Sequence, residues 1–367
     1  MDLFDENIKT EYIADITNEY IERKRDIEGY NYNMFQSTII KDNIEYYCER
    51  INVNSELNIN GINGLFFSNN REDKTRFEGV QIDTEDPRLF ICNDKIYVIF
   101  NAISPFTGYA RSMAISEYDH FNPIYLRIEN ENEREHIIEK NWSPCVVNNK
   151  LYLIYLFDPL IVLHYDFNSE GICCIEYKQK PEIAISSMNT KDICLRGSSS
   201  FIPLFNGFLG ELYIGLCHSY ICKNDQYYYF AYLCILNVTE WKIVYISKPI
   251  ACKSLLTDTI TKYKDTDIIC NYNRYYYKHT YLGTTHSIDI NVIYPTSIYK
   301  SNEKDGKEES LYEYAIILNL NKYSLKNKMI INFAAILQKI IEINSSTELQ
   351  SWDEQVKNSS MELLSSI

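Results

Sequence analysis

Apolar and polar positions alternate along this chain with two different periods. Near the start, Ile8, Tyr12, Ile13, Ile16 and Tyr20 recur at helical spacing with acids and lysines between them. That spacing predicts an amphipathic helix over residues 5–27, a cap on the main body. Beyond it come short β-branched and aromatic runs, separated by Asn, Asp, Gly and Pro clusters. The clearest are Lys95–Phe100, Leu151–Phe157, Leu212–Cys217, Tyr227–Leu236, Trp241–Ile246, Arg274–Leu282, Ile288–Tyr294 and Tyr314–Leu320. Asn93-Asp94 and Asn148-Asn149 precede two of them, as hairpin turns do. No long helical period lies between the runs. This argues against βαβ units and leaves a sandwich, a barrel or a propeller. Ile330, Phe333, Ala334, Leu337 and Ile341 share one helical face and predict a closing helix over 329–342. The polar, Ser-rich tail from Asn344 is expected to be mobile, and the charged stretch Ser301–Ser310 to be a surface loop. There is no strict repeat, so a propeller built from these strands is a divergent one of about five blades.

Composition narrows the choice of partner. The 367 residues are 46% hydrophobic and 23% charged, enough apolar content for a large core and too little charge for a disordered chain. A net charge of −14 makes nucleic acid and anionic membrane poor partners. The 32 tyrosines accompany an excess of Asn, Ile and Lys, a codon-bias signature, so they do not by themselves mark a sugar-stacking surface. The 11 cysteines are odd in number and irregular in spacing, and no CxxC pair occurs. They read as free thiols in a reducing, cytoplasmic compartment, with no zinc site and no cofactor implied. The first residues lack the basic start and apolar core of a signal peptide. No apolar run approaches the ~20 residues of a membrane helix.

Five segments carry candidate chemistry. In Glu85-Asp86-Pro87-Arg88, two adjacent acids precede a proline and an arginine. On a regular strand Glu85 and Asp86 point to opposite sides, so only one faces a given pocket. A plain turn with a surface ion pair explains the same residues. Arg111 begins a small-residue strand that leads to Ser116 and Asp119. Glu139-Lys140-Asn141-Trp142 sets an acid, a cation, an amide and an indole side by side. That mix suits a sugar and an anion, and equally a capped loop with Trp142 packed inside. Arg196-Gly197-Ser198-Ser199-Ser200 offers a glycine beside hydroxyls, which permits close backbone approach to a ligand, and leads to a strand ending at His218. A lone histidine there is more often structural. The last segment, Gly283 to Asp289, contains His286.

The order of these segments resembles the five-bladed β-propeller superfamily of β-mannoside enzymes. It is most similar to the family 130 glycoside phosphorylases and hydrolases and the related β-1,2-mannosyltransferases. The resemblance spans residues 80–290, and the Glu85–Arg88 block is its most specific part. It implies an all-β fold, a five-bladed β-propeller over residues 46–328. Short helical segments would flank it, a cap in 1–45 and a closing helix and tail in 329–367. It implies that Asp86 is the general acid, acting on the bridging oxygen through a sugar hydroxyl. Arg111, Lys140 and His218 would hold phosphate, and Glu85, Arg88, Asn141, Trp142, Arg196, Ser198 and His286 would contact substrate. The expected activity is inverting transfer to or from β-mannosides, by a glycosyltransferase or phosphorylase, with a sugar phosphate or nucleotide sugar as donor. His286 stands where many members carry an acid, and Ser198–Ser200 and Lys140–Trp142 also depart from phosphorylase wording. These departures lean towards a transferase. A non-catalytic glycan- or protein-binding propeller stays open, as does a hydrolase using Glu85 or Glu139 to activate water.

Overall fold

The computed structural model describes residues 7–15, 30–53, 62–69, 76–106, 110–130, 139–180, 195–207, 209–223, 226–250, 276–281, 284–289, 291–292, 294–300, 311–320, 323–345 and 352–366. Their strands form a five-bladed β-propeller. Blade 1 contains Tyr30–Lys41, Ile44–Val53, Ile62–Asn69 and Arg76–Glu78. Blade 2 contains Glu85–Cys92, Lys95–Ile103, Arg111–Glu117 and Ile124–Tyr125. Blade 3 contains Ser143–Val147, Lys150–Phe157, Leu160–Tyr165 and Ile172–Lys178, with Arg127–Ile128 added in parallel at its edge. In blade 4, Arg196–Gly197 and Ile202–Gly207 both pair with Gly210–Lys223, and Gln226–Asn237 and Lys242–Ile246 follow. Blade 5 contains Tyr294–Lys300, Leu311–Leu320 and Tyr323–Asn332. A separate hairpin joins Tyr276–Tyr281 to Thr284–Asp289.

Local sequence explains the hairpins. Asn93 and Asp94 have φ of 49° and 60°, and Asn148 and Asn149 have 51° and 59°. Asp42 and Asn43 repeat the pattern in blade 1, with φ of 52° and 61°. Two successive left-handed residues make the tight turn whose twist matches paired strands, and Asn and Asp tolerate that conformation best.

The core is divided among the seams between blades. Leu65, Phe67, Leu89 and Phe100 fill the seam of blades 1 and 2. Ile99, Met113, Leu153 and Leu163 fill that of blades 2 and 3. Ile154, Val162, Tyr232 and Leu236 fill the third seam, and Ile214, Ile235, Ile316 and Ile331 the fourth. The seam of blades 5 and 1 is smaller, with Tyr299, Ala315 and Ile317 against Ile40. Around the axis the first strands of the blades bond directly. Leu89 N donates to Ser37 Oγ at 2.8 Å, Thr38 N to Ser297 Oγ at 2.8 Å, and Phe201 N to Pro144 O at 2.7 Å. The site is built on this inner ring.

Both ends of the chain differ from expectation. Residues Ile8–Asp15 are not helical. They form the outermost strand of blade 5, with Ile8 opposite Ile331 and Asp15 opposite Leu325. A register shift between Tyr12 and Ala14 breaks the two-residue period, so the apolar spacing imitates a helix. Residues 16–27 of the expected helix lie outside the described residues. The described residues of the expected cap, 7–15 and 30–45, are therefore blade material, since Ile8–Asp15 edges blade 5 and Tyr30–Lys41 opens blade 1.

At the other end, Met329–Asn332 finish a strand and helix α1 runs Phe333–Ser345, with Asn332 Oδ1 accepting from Ala335 N at 3.2 Å. Its buried face is Phe333, Ile336 and Ile340, while Ile341 is exposed, so the face is rotated from the expected one. The tail expected to be mobile contains helix α2, Trp352–Ser366. Val356 enters the seam of blades 3 and 4, Ser360 Oγ meets Tyr232 OH, and Gln355 Nε2 donates to Ile246 O at 3.1 Å. This face sets only Trp352 and Val356 beside polar Gln355 and Ser360, too few apolar positions for hydrophobic periodicity to register.

The predicted run Ile288–Tyr294 is also split among three strands. Cys48, Cys92, Cys145, Cys173, Cys174, Cys217 and Cys234 are free, and of these only Cys174 is exposed. Among the described residues, no helix is long and apolar enough to cross a membrane.

Candidate active site

The acid block sits at an irregularity. Glu85 pairs with Asn101 and Arg88 with Ile99, so the strand opening blade 2 holds one residue more than its partner. Asp86 takes up the extra length with φ of 51°, ahead of Pro87. The bulge reverses the expectation for a regular strand, because both acids turn to one partner. Arg50 Nη2 lies 3.2 Å from Glu85 Oε1, and Arg50 Nη1 lies 3.4 Å from Asp86 Oδ1.

Around them is a wider acid–guanidinium cluster. Asn63 donates its side-chain amide to Asp83 Oδ1 at 3.0 Å and to Glu85 Oε1 at 3.1 Å. Arg111 Nη1 meets Asp83 Oδ2 at 2.8 Å, its Nε donates to Asn101 Oδ1 at 2.8 Å, and its Nη2 lies 3.6 Å from Glu85 Oε2. Burial pushes Asp83 up, but the bonds and charge of Arg111 and the bonds from Asn63 outweigh it and hold the carboxyl below its usual range. For Glu85 the balance reverses. Burial, with the charges of Asp86 and Asp83, outweighs Arg50 and Arg111 and raises it.

Arg88 leads to the second half of the site. It is 1% exposed. Its Nε donates to Ser198 O at 2.8 Å, Nη1 to Asp86 O at 3.1 Å, and Nη2 to Asn141 Oδ1 at 3.1 Å and Gly197 O at 3.2 Å. One guanidinium thus ties blade 2 to the loop before blade 3 and to the start of blade 4. Tyr294 OH also donates to Asn141 Oδ1, at 3.0 Å. Its ring packs on Phe35 and on His218, with centroids 4.7 and 4.2 Å apart. His218, 2% exposed, shares a 2.6 Å hydrogen bond between Nδ1 and Ser198 Oγ. Burial first, then the charges of Arg196, Arg88 and Lys140, holds its pKa well below the usual value. His218 is therefore a neutral ring among three cations.

These contacts redistribute the expected roles. Asp86, Glu85, Arg88, Asn141, Ser198 and His218 come together at the inner ring. Exposed Lys140 and partly exposed Arg196 lie within electrostatic reach of His218. Arg111 does not join them in a phosphate cluster, because its guanidinium is spent on Asp83, Glu85 and Asn101. Arg88 is likewise spent on Ser198, Asp86, Asn141 and Gly197, so the cations left near His218 are Lys140 and Arg196. His218 is not a cation there, since a buried ring beside three positive charges stays unprotonated.

Trp142 is a correction too. It is 1% exposed in the seam of blades 2 and 3, edge-on to Tyr155, with its indole N–H donating to Glu139 Oε2 at 3.2 Å. It offers no stacking face to a sugar. Gly197 serves packing against protein. A Cβ there would meet Ser143 Oγ at 2.2 Å and Asn141 O at 2.5 Å. Gly197→Ala should destabilise the protein by roughly 1–3 kcal/mol, the usual cost of overpacking, read from the urea unfolding midpoint. The strand carrying His286 pairs it with His279, but its side chain lies outside the described residues.

Arg50, Asn63, Asp83 and Tyr294 were not singled out from sequence. Among the described residues no group of three or more His, Cys, Asp and Glu side chains is arranged to hold a metal ion.

No family model and no curated protein matches the chain. Several solved structures are similar to it. A β-1,2-mannobiose phosphorylase from Listeria innocua has a TM-score of 0.48 at 10% identity, over 86% of this chain and 94% of that one. A GDP-Man-dependent mannosyltransferase from Leishmania mexicana has a TM-score of 0.45 at 11% identity, over 87% and 95%. A glycosyl hydrolase from Bacteroides ovatus has a TM-score of 0.47 at 8% identity, over 82% and 84%.

Proposed function

We propose that this protein is a cytoplasmic, inverting carbohydrate-active enzyme that acts on β-mannosides, as a glycosyltransferase or phosphorylase using a nucleotide sugar or sugar phosphate. One observation carries the reading. The bulge that bears the Asp86 carboxyl is tied through its backbone carbonyl to Arg88, and Arg88 reaches the Ser198–His218 side of the ring, where Lys140 and Arg196 also act on a neutral His218.

The chemistry follows from that division. Asp86 moves a proton at the oxygen that bridges sugar and acceptor. The cations stabilise the anion that attacks or leaves at the anomeric carbon. With acid and anion acting on opposite faces, one displacement inverts the centre without a covalent intermediate. Hydrolysis fits less well. Glu139 is 2% exposed and accepts from Trp142 and Tyr155, away from solvent, and the Glu85 carboxylate is engaged by Arg50 and the Asn63 amide.

A second reading, a non-catalytic glycan-binding propeller, draws on the internal engagement of Arg88 and Arg111. The decisive experiment incubates the pure protein with GDP-mannose, with mannose 1-phosphate, and with mannobiose plus phosphate. Transfer or phosphorolysis products lost in Asp86→Asn support the enzyme. Saturable mannobiose binding without turnover in any mixture supports the binder.

A further inference from the structure

Ser198 Oγ and His218 Nδ1 lie 2.6 Å apart, in residues only 1% and 2% exposed. Either atom can donate, so the bond alone leaves the ring proton open. The hydroxyl decides it. Ser198 Oγ has one proton, and among the described residues Nδ1 is the only acceptor it bonds. Were Nδ1–H the donor, that hydroxyl proton would be buried with no acceptor, which is costly. With Ser198 donating, both groups are satisfied. A neutral imidazole that accepts at Nδ1 carries its proton on Nε2.

We propose that Ser198 is a positioning residue: its hydroxyl donates to Nδ1, fixes His218 in the Nε2–H tautomer, and so makes Nε2–H an uncharged donor to a substrate oxygen. This rests on the reading of the inner ring as the substrate site. The pair is held from both sides. Ser198 N donates to Leu216 O at 3.2 Å, and Ser198 O accepts from Arg88 Nε at 2.8 Å. Arg196 and Gly197, just before Ser198, pair with His218 and Cys217 on the neighbouring strand. The imidazole packs on Tyr294 and Tyr229, with centroids 4.2 and 6.0 Å away. Among the described residues Nε2 takes no hydrogen bond. A buried N–H is rarely left unpaired, so its partner is water or ligand. The charges of Arg196, Arg88 and Lys140 oppose a second ring proton, in agreement with the bonding. A bound anion would thus take its charge neutralisation from Lys140 and Arg196, and from His218 one directed hydrogen bond.

The experiment is long-range proton–nitrogen correlation on the histidine rings of the full-length, nitrogen-15-labelled protein at neutral pH. His218 is one of six histidines. It is assigned from His218→Gln or, if that variant does not fold, as the signal that survives replacement of each other histidine. In wild type Nδ1 should show the far-downfield shift of an unprotonated ring nitrogen, and Nε2 the shift of a protonated one. Ser198→Ala keeps the backbone contacts and should bring the two shifts towards each other, as both tautomers become populated. A protonated Nδ1 in wild type, or wild-type shifts retained in Ser198→Ala, overturns the proposal. Saturation with inorganic phosphate, GDP-mannose or mannobiose should move Nε2 and its proton while Nδ1 stays unprotonated. If none of the three moves Nε2, the donor role is overturned. Where the enzyme turns over, Ser198→Ala should raise KM roughly 3–10-fold, about the worth of one hydrogen bond, and an unchanged KM also overturns it. The tautomer is read without turnover. The expected tautomer and a shift on binding, with no product in any mixture, therefore sink the enzyme reading and leave the role of Ser198 standing.

Discussion

Replacing Asp86 by Asn should lower turnover by roughly 10²–10⁴-fold, the usual worth of general acid–base catalysis. Asn keeps the size and planarity of the side chain, and it tolerates left-handed backbone, so the φ of 51° at this bulge is preserved. It cannot deliver or accept the proton. The expected pattern is a fall in kcat and kcat/KM together with little change in KM, the mark of an interaction made in the transition state. Thermal unfolding should be close to wild type, because Asp86 shares only one contact of Arg50 with the rest of the cluster. A variant that keeps activity within a factor of a few, while folding normally, removes Asp86 from the mechanism. The bulge would then be a structural turn whose acids serve only to neutralise Arg50.

The local motif was legible in sequence, and its spatial meaning only in part. Asn93-Asp94 and Asn148-Asn149 announced their hairpins because the conformation they adopt has a sharp residue preference. The blades were legible as alternating apolar runs for a similar reason. What escaped depends on contacts between segments far apart in the chain. Ile8–Asp15 looks helical alone and becomes a strand because blade 5 offers it an edge. Helix α2 is placed by Val356 and Ser360 fitting beside Tyr232. Asp86 and Arg88 belong to the one block specific enough to stand out. Arg50 and Tyr294 reach the same site from 36 residues before Asp86 and from blade 5, with nothing in their neighbours to mark them. Trp142 shows the opposite error. Beside Lys140 and Asn141 its chemistry suits a sugar as well as a packed loop, and only the resemblance sets it against substrate, when the inward turn of its indole is set by Glu139 and Tyr155.

Arg88→Met should cost about 3–5 kcal/mol of stability, in the range for breaking a buried charged contact by removing one partner. Methionine fills much of the same space with an unbranched chain, so the loss is not mainly a cavity. The cost is polar. The carbonyls of Asp86, Gly197 and Ser198 and the amide oxygen of Asn141 all lose a charged donor at once. Each acceptor left buried without a partner costs ~1–3 kcal/mol, and partial relaxation keeps the total below the sum. Asn141 retains Tyr294 OH, which limits its share. Arg88→Lys should recover only part of the loss, because a point ammonium cannot span acceptors that a planar fork reaches together. The measurement is the urea midpoint, with the slope of the transition unchanged if the denatured state is unaffected. This prediction separates two roles that the sequence left merged. If Arg88 is the strut that holds the acid-bearing bulge against blades 3 and 4, the midpoint falls steeply and Lys does not rescue it. If it is chiefly a ligand-binding cation, both variants unfold near wild type and lose substrate affinity instead.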